Sequence, residues 1–378
     1  MNHITIEDIA YKMDNDNAII YLGNNVQMDD EVTSAVMLVT HEFTYTGAPI
    51  MLLEVAKSMK NNGLSVWTLC KQEGSFAKEF VEAGINVIIY PNFEADHLWL
   101  NNAQEIFSLW FLNTLILFSL FKKLNAANQK TIWWIHENEY IFSYLAPVIK
   151  KISLNPSSQI VAAGPYVQSL IKKHMQLPAD ILNFPVDDMG TSTRTRDNSE
   201  KIKILQVGYL SRLKGQTILL DAFELLSDKT KEIVDITFCA NSYPSDEEVL
   251  QRIEETVSNH SNIHLIPAME KEALYELYND FDIIIVASKK EATSAIMVEA
   301  MMKGIIGICS DACGITYYIK DNESGFIFKS EDPNSLSQKI EYIIEQLDQL
   351  EHVKRNARKI YEENFSKEIF ENKLFELL

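Results

Sequence analysis

Short apolar runs alternate with segments of helical period along most of the chain. Residues 34–43, SAVMLVTHEF, form a Val- and Leu-rich run of the kind buried on both faces of a parallel sheet. A loop with Thr46, Gly47, Ala48 and Pro49 follows. The stretch PIMLLEVAKSMKNNG then puts Ile50, Leu53 and Met59 on a helical period and Gly63 at the C-cap. The same alternation predicts strands over 64–70, 85–90, 109–115, 130–137, 159–164 and 179–185. Between them it predicts helices over 76–83, to about 126, over 140–152 and over 166–175. A further short strand is expected at 18–22. Strands alternating with helices through short connections imply a parallel sheet covered on both faces.

Residues 187–200, DDMGTSTRTRDNSE, break the pattern, with no apolar period and many Thr, Ser and Asp residues. They read as an interdomain linker. The alternation then resumes: KILQVGYL, VDITFCA, 262–266, FDIIIVAS, IIGICSD and SGFIFK read as strands, with helices between them and two amphipathic helices from 333 to the end. The expected fold class is α/β, with two Rossmann-like, doubly wound parallel-sheet domains facing a cleft. The expected division is an extension at 1–33, a first domain at 34–186, the linker, and a second domain at 201–355. Ligands of such sheets bind at the carboxyl ends of the strands.

Composition narrows the partners. At 378 residues the chain exceeds what one core supports, which agrees with two domains. The net charge of −19 repels phosphate backbones and anionic lipid, so nucleic acid is not expected as a partner. No long Lys/Arg run occurs: Lys150 with Lys151, Lys172 with Lys173 and Lys289 with Lys290 are pairs only. Four scattered cysteines make no disulfide framework and suit a reducing cytoplasm. Cys309 and Cys313 lack a second Cys/His pair, so they read as structural thiols and no metal site is expected. The N-terminus has neither a basic nor an apolar signal region. Residues 106–121, IFSLWFLNTLILFSLF, are shorter than the ~20 apolar residues of a spanning helix and read as a buried strand entering a buried helix, with a membrane-dipping hairpin as the alternative.

The sharpest chemical signal is ASKKEATSAIMVEAMMKG. A strand ends at Ser288, a small-residue turn runs from Ala292 to Ala295, and a helix follows. Free amides at a helix start attract phosphate, and small side chains permit close approach. Glu291 stands at the turn, and Glu299, separated from it by seven residues, lies about two turns into the helix, where a carboxylate can accept paired bonds from ribose hydroxyls. Spacing alone does not separate this from a solvated helix residue, because short motifs recur by chance.

The span from Glu291 to Asp332 resembles the C-terminal signature of family-4 retaining glycosyltransferases of the GT-B fold. EATSAIMVEAMMKGII stands where that family has its paired glutamates, with Ala292 and Ser294 in place of two glycines and Ile306 in place of a proline. VGYLSRLKGQTILLDAF resembles the family's phosphate-lysine motif and carries Gly208, Lys214 and Gly215. Tyr209 holds the place of the family arginine, and Arg212 is its nearest substitute. HEFTYTGAP resembles the glycine-rich first loop, with Gly47 as its backbone-approach glycine, and His136 matches the family's strand-end histidine. The final segment, about 356–378, resembles the helix that packs back on the first domain, and Phe365, Ile369, Phe370, Leu374 and Leu377 supply an apolar stripe for it.

The resemblance implies retaining, front-face transfer of a sugar from a nucleoside diphosphate. UDP is the donor nucleotide most frequent in the family. Lys214, Arg212 and the amides near Thr293, Ser294 and Ala295 would stabilise the leaving group, Glu291 would hold the sugar, Glu299 the ribose, and His136 the sugar from the other domain. Asn113 and Thr114 would line the same cleft, with Glu137 and Glu139 toward an acceptor that is a glycan, a lipid-linked glycan or a protein. No metal or other cofactor is expected. Peripheral docking on a membrane or a partner enzyme is left open. Two rival readings are a non-catalytic GT-B chaperone of a partner enzyme and a nicotinamide-dependent dehydrogenase. The second lacks the G-x-G-x-x-G loop it requires.

Overall fold

The computed structural model describes residues 4–149, 152–197, 199–240 and 246–378. The lysine pair at 150–151, inside the helix predicted over 140–152, lies outside the described residues. The chain divides into two compact units, Met1–Pro185 with Glu371–Leu378, and Val186–Phe370.

The first unit contains β1 (Ile4–Thr5), α1 (Ile6–Met13), β2 (Ile19–Tyr21), β3 (Glu31–Val32), β4 (Ala35–Val39), α2 (Gly47–Asn61), β5 (Ser65–Cys70), α3 (Ala77–Glu82) and β6 (Asn86–Ile89). It continues with α4 (His97–Ile106), β7 (Leu109–Asn113), α5 (Phe118–Ala126), β8 (Thr131–Ile135), α6 (Glu139–Ile149), β9 (Ser158–Ala162), α7 (Pro165–Met175) and β10 (Asp180–Ile181). Its eight-stranded sheet has the order β10-β9-β8-β7-β4-β5-β6-β2. Every pair is parallel except β2 with β6. The central strands are apolar on both sides because helices cover both faces: β4, β7 and β8 are buried at every position. Trp67, Trp110, Trp133 and Trp134 fill this layer without exposure. The indole N–H groups of Trp67 and Trp110 find no acceptor among the described residues. Leaving one unpaired costs roughly 1–3 kcal/mol. Burying ~150–250 Å² of ring at ~25 cal/mol/Å² outweighs that.

Three expectations need correction here. Residues 1–33 are not an appendage. Strand β2 pairs with β6, α1 buries Ile6, Ile9 and Met13, and the Trp99 indole donates to the Met13 carbonyl at 3.0 Å. Helix α4, absent from the sequence reading, is started by Asp96, whose carboxylate accepts from the Trp99 amide at 3.0 Å. The strand expected over 179–185 is reduced to Asp180–Ile181.

The second unit contains β11 (Ile202–Val207), α8 (Gln216–Glu224), α9 (Asp228–Ile233), β12 (Val234–Ala240), α10 (Glu247–Asn259), β13 (Ile263–Pro267), α11 (Lys271–Leu277) and β14 (Ile283–Val286). Then follow α12 (Ala295–Lys303), β15 (Ile306–Ser310), β16 (Phe326–Phe328), α13 (Pro333–Gln346), α14 (Glu351–Asn364) and the start of α15 (Lys367–Leu377), whose residues from Glu371 on belong to the first unit. The six-stranded sheet, ordered β13-β12-β11-β14-β15-β16, is parallel throughout. The strand order reverses between β11 and β14, which makes the carboxyl ends of those two strands the switch point where such sheets bind ligands.

The linker and the last helix also differ from expectation. The described residues of 187–200 are a strap fastened to the second unit. Arg194 forks Asp282 at 2.8 and 3.1 Å, the Ser192 amide donates to the Lys303 carbonyl at 2.7 Å, and Asp188 takes the Arg358 guanidinium at 2.9 Å. The predicted segment 356–378 is two helices. Helix α14 buries Val353, Ala357 and Tyr361 within the second unit, and Ser366 restarts the chain by accepting the Phe370 amide on its carbonyl at 3.0 Å. Only Glu371–Leu378 belongs to the first unit, where the Ser58 hydroxyl donates to Glu371 at 3.1 Å. Among the described residues no helix is long and apolar enough to cross a membrane.

Candidate active site

The loop after β11 is shaped around Lys214. Gly208, at φ +142°, lies under the Lys214 stem. Gly215 has φ +70°, and a Cβ there would lie 2.1 Å from the Ala287 carbonyl oxygen, so only glycine permits this approach of the loop to the end of β14. Gln206 donates to the Lys214 carbonyl at 2.8 Å, the Lys289 amide donates to the Leu213 carbonyl at 2.8 Å, and Gln216 donates to the Tyr209 carbonyl at 3.0 Å. The Lys214 ammonium is thereby aimed at Glu291 Oε1, 3.2 Å away, and stands 5.6 Å over the Tyr209 ring.

Glu291 is held from below. Its amide donates to the Ala312 carbonyl at 3.4 Å, and its carbonyl accepts from the Gly314 amide at 2.9 Å. The turn beneath it is locked by the Ser310 hydroxyl, which donates to the Ser288 carbonyl at 2.5 Å. Glu291 Oε2 is buried and has no partner among the described residues. The carboxylate therefore retains capacity for a donor such as a sugar hydroxyl.

The turn into α12 explains why the two missing glycines are tolerated. Ser294 has φ −109°, and neither it nor Ala292 has a positive φ. Ser294 is the N-cap, its hydroxyl oxygen accepting from the Met297 amide at 3.3 Å, which leaves its O–H proton to donate. Among the described residues no acceptor occupies the amides of Ala295 and Ile296, which open the helix beside Thr293. These are the groups that bind phosphate at a helix start.

Two expected residues stand differently. Glu299 lies in the second turn of α12, not two turns in, and is only 7% exposed. Its Oε2 accepts from the Tyr278 hydroxyl at 2.6 Å, and burial raises its pKa while that bond opposes the rise. One oxygen is thus committed to the protein. Arg212 is turned away from Lys214 and is exposed. It pairs with Asp246 at 3.3 Å and with Glu248, the carboxylates at the start of α10, so its expected place on a leaving group is not the one it occupies.

In the first unit the carboxyl ends of β4, β7 and β8 gather a second polar cluster. Asn113 Nδ2 donates to the Ala48 carbonyl at 2.8 Å, which fixes the amide and leaves Oδ1 facing His136 Nε2 at 2.6 Å. His136 therefore carries its proton on Nε2. Burial, with His41 adding to it, lowers the His136 pKa to about 3, and the ring stays neutral against Trp134 at 4.1 Å. Glu137 does not reach outward: it accepts the amides of Leu115 at 2.7 Å and His136 at 2.9 Å, and burial raises its pKa to about 7. Glu139 is spent on Lys173 and His174, each at 2.8 Å. Gly47 opens α2 with nothing within 4 Å of a would-be Cβ and no positive φ, so neither packing nor backbone strain requires glycine there.

Sequence reasoning passed over Thr114's backbone and His41. Thr114 has φ +105°, a conformation costing a β-branched residue roughly 1–3 kcal/mol. It is pinned by the Trp133 indole donating to its carbonyl at 2.7 Å and by its own amide donating to the Trp134 carbonyl at 2.9 Å. Its hydroxyl meets His41 Nδ1 at 3.4 Å. The position of His41 two residues after β4 was the available signal. Among the described residues no group of three or more metal-type side chains assembles.

Comparison with known proteins decides the family. Residues 192–360 match the family model of glycosyl transferases group 1, and residues 33–173 match that of glycosyl-transferase family 4. The chain is a family-4 glycosyltransferase of the GT-B fold. This glycosyltransferase is 25% identical over 284 residues to an uncharacterized glycosyltransferase of Methanocaldococcus jannaschii, covering 70% of this chain and 69% of that one. It is 21% identical over 208 residues to the GtfA subunit of a UDP-N-acetylglucosamine–peptide N-acetylglucosaminyltransferase of Streptococcus pneumoniae, covering 54% of this chain and 39% of that one. In fold it is similar to Anabaena HepE in complex with UDP-glucose, with TM-score 0.72, 15% identity, and coverage of 90% and 98%. A Rickettsia africae glycosyltransferase gives TM-score 0.72 and 17% identity, with coverage of 91% and 97%.

Proposed function

We propose that this glycosyltransferase moves a sugar from a UDP-sugar to a glycan, glycolipid or glycoprotein acceptor, with retention and without metal. The observation that carries the reading is the Lys214–Glu291 pair at the switch point beside the open amides of Ala295 and Ile296. The bond between the anomeric carbon and the diphosphate oxygen breaks as the acceptor hydroxyl bonds to that carbon from the same face. The hydroxyl proton passes to the departing diphosphate. Lys214 and the two amides stabilise the charge that develops on the leaving oxygens, which is where a fixed cation acts most strongly. Glu291, through its unpaired oxygen, takes a sugar hydroxyl. Glu299 keeps one oxygen for the ribose. His136, neutral at physiological pH, suits hydrogen bonding to a sugar better than proton transfer.

The likeness to the UDP-glucose complex and to the pneumococcal UDP-N-acetylglucosamine enzyme supports UDP as the nucleotide class. The rival reading, an inactive accessory subunit, is opposed by the intact Lys214–Glu291 geometry. The test is a thermal-shift panel of UDP-, GDP- and ADP-sugars, followed by NMR of the anomeric proton in the product formed with EDTA present. UDP-sugars are expected to raise the melting point most, because a ligand that binds only the folded state stabilises it. An inverted product, or activity abolished by EDTA and restored by Mg²⁺, defeats the mechanism. Equal donor hydrolysis by wild type and Glu291→Ala defeats the assigned role of Glu291.

A further inference from the structure

We propose that the second unit carries a separate anion site, built for a phosphate group, at the sheet edge opposite Lys214 and Glu291. A cavity of about 370 Å³ lies there, within the range of small-ligand pockets. Its floor includes Asp282 and Ile305, the residues immediately before β14 and β15, so it faces the amino ends of those strands. The switch-point site uses the carboxyl ends. The two sites share helix α12, which begins at the open amides and ends in the cavity at Lys303.

The cavity is rich in cations although the chain as a whole carries a net charge of −19. Most of them are already neutralised. Arg194 is forked by Asp282, Arg358 is taken by Asp188 and Glu362, and Lys354 pairs with Glu351 at 2.6 Å. Lys303 and Arg355 are left over. Lys303 is 3% exposed, and its ammonium makes one hydrogen bond, to the neutral Met189 carbonyl at 3.1 Å. An ammonium has three protons to place, and the carboxylate within reach of its charge, Asp188, is already taken by Arg358, so donor capacity remains. Arg355 lines the same cavity and has no hydrogen bond or ion pair among the described residues. From the strap, the Ser192 oxygen accepts the Arg194 amide at 3.3 Å, which leaves its hydroxyl proton to give, and Thr191 adds a second hydroxyl.

The free capacity of the cavity is therefore nearly all donor, with a point charge at the bottom and a planar fork at the mouth. A tetrahedral oxyanion with several acceptor oxygens matches that set, since Lys serves as a point charge and Arg as a bidentate donor. The phosphate belongs either to a small phosphorylated molecule or to a lipid headgroup.

The experiment measures melting temperature against inorganic phosphate, with sodium chloride at matched ionic strength as the control. It is done in a Lys214→Ala background, which weakens phosphate binding at the switch-point site. A rise of roughly 3 °C or more in saturating phosphate is expected. The rise is expected to vanish in Arg355→Glu, an exposed substitution that leaves packing intact, and to shrink in Lys303→Met. Equal melting in phosphate and chloride, or an undiminished rise in Arg355→Glu, overturns the site. Sedimentation with phosphatidate-containing vesicles separates the two sources. Binding that Arg355→Glu abolishes places the phosphate on a lipid, and a phosphate-induced rise without vesicle binding places it on a free molecule. Both outcomes support the site.

Discussion

Lys214 Nζ donates to Glu291 Oε1 at 3.2 Å, joining two loops that are 77 residues apart in sequence. The side chains are 25% and 17% exposed, so solvent weakens the pair without dissolving it. The lysine brings positive charge to the open amides of α12 and also satisfies one oxygen of a half-buried carboxylate. These two duties are separable. Lys214→Met is expected to lower kcat by roughly 10²–10³, the loss that follows removal of one leaving-charge donor. It also leaves Glu291 without its partner, at a cost of about 1–3 kcal/mol. In Lys214→Met/Glu291→Gln the stability returns and the activity does not. Steady-state kinetics and urea midpoints on the two variants check this, and recovery of activity in the double variant contradicts the assignment of Lys214.

His136 and Glu137 are neighbours whose titrations pull stability in opposite directions. His136 has its folded pKa lowered to about 3, so between that value and its unfolded value the unfolded chain binds the extra proton, and stability rises with pH. Glu137 has its folded pKa raised to about 7, so between its unfolded value and that point the folded chain holds the extra proton, and stability falls as pH rises. The two slopes overlap and partly cancel between about pH 4.5 and 6.5. His136→Gln, which keeps a donor for Asn113, is expected to lose stability with rising pH in that window. Glu137→Gln is expected to gain it. Denaturant midpoints at half-unit pH steps read both slopes, and parallel profiles in the two variants contradict the assignments.

The parallel alternation was legible because β4, β7, β8 and β14 are buried on both faces and so read as unbroken apolar runs. Helices α1 and α4 left signals that the reading did not use: Thr5 with Asp8 forms a capping box ahead of Ile6, Ile9 and Met13 at helical spacing, and Asp96 caps α4 ahead of Trp99, Leu100 and Ala103. Lys214 and Glu291 were legible as motif residues, but their contact was not, because 77 residues intervene. The partners of Arg212 were equally hidden: the fold brings the carboxylates of Asp246 and Glu248 to it from the start of α10. The linker looked detached because its anchors, Arg358 and Asp282, are distant in sequence.

Gly215 and Gly47 separate packing from ligand approach. At Gly215 both the φ of +70° and the 2.1 Å approach to the Ala287 carbonyl forbid a side chain. Gly215→Ala is expected to destabilise by roughly 2–4 kcal/mol and to displace Lys214 with it. At Gly47 a methyl group meets nothing within 4 Å. Gly47→Ala is expected to leave stability unchanged or raise it by about 0.5–1 kcal/mol, since alanine favours the helix. A fall in kcat/KM at unchanged stability identifies Gly47 as a ligand-approach position. Wild-type kinetics in Gly47→Ala remove it from the site.

Glu299 and Tyr278 form a buried carboxylate–phenol pair at 2.6 Å. Burial favours the protonated acid, and the phenol offsets this by donating to the ionised form. Tyr278→Phe removes the donor without leaving a cavity. It is expected to cost about 1–3 kcal/mol through the orphaned oxygen. It also moves the Glu299 pKa further up, so the carboxylate is less ionised at neutral pH. If Glu299 accepts from the donor ribose, the KM for the nucleotide sugar rises in Tyr278→Phe and partly recovers as the pH is raised, while kcat changes little. A purely structural pair produces the same loss of stability with a KM that does not respond to pH. Measuring KM for the best UDP-sugar from pH 6 to 9, in wild type and variant, distinguishes the two.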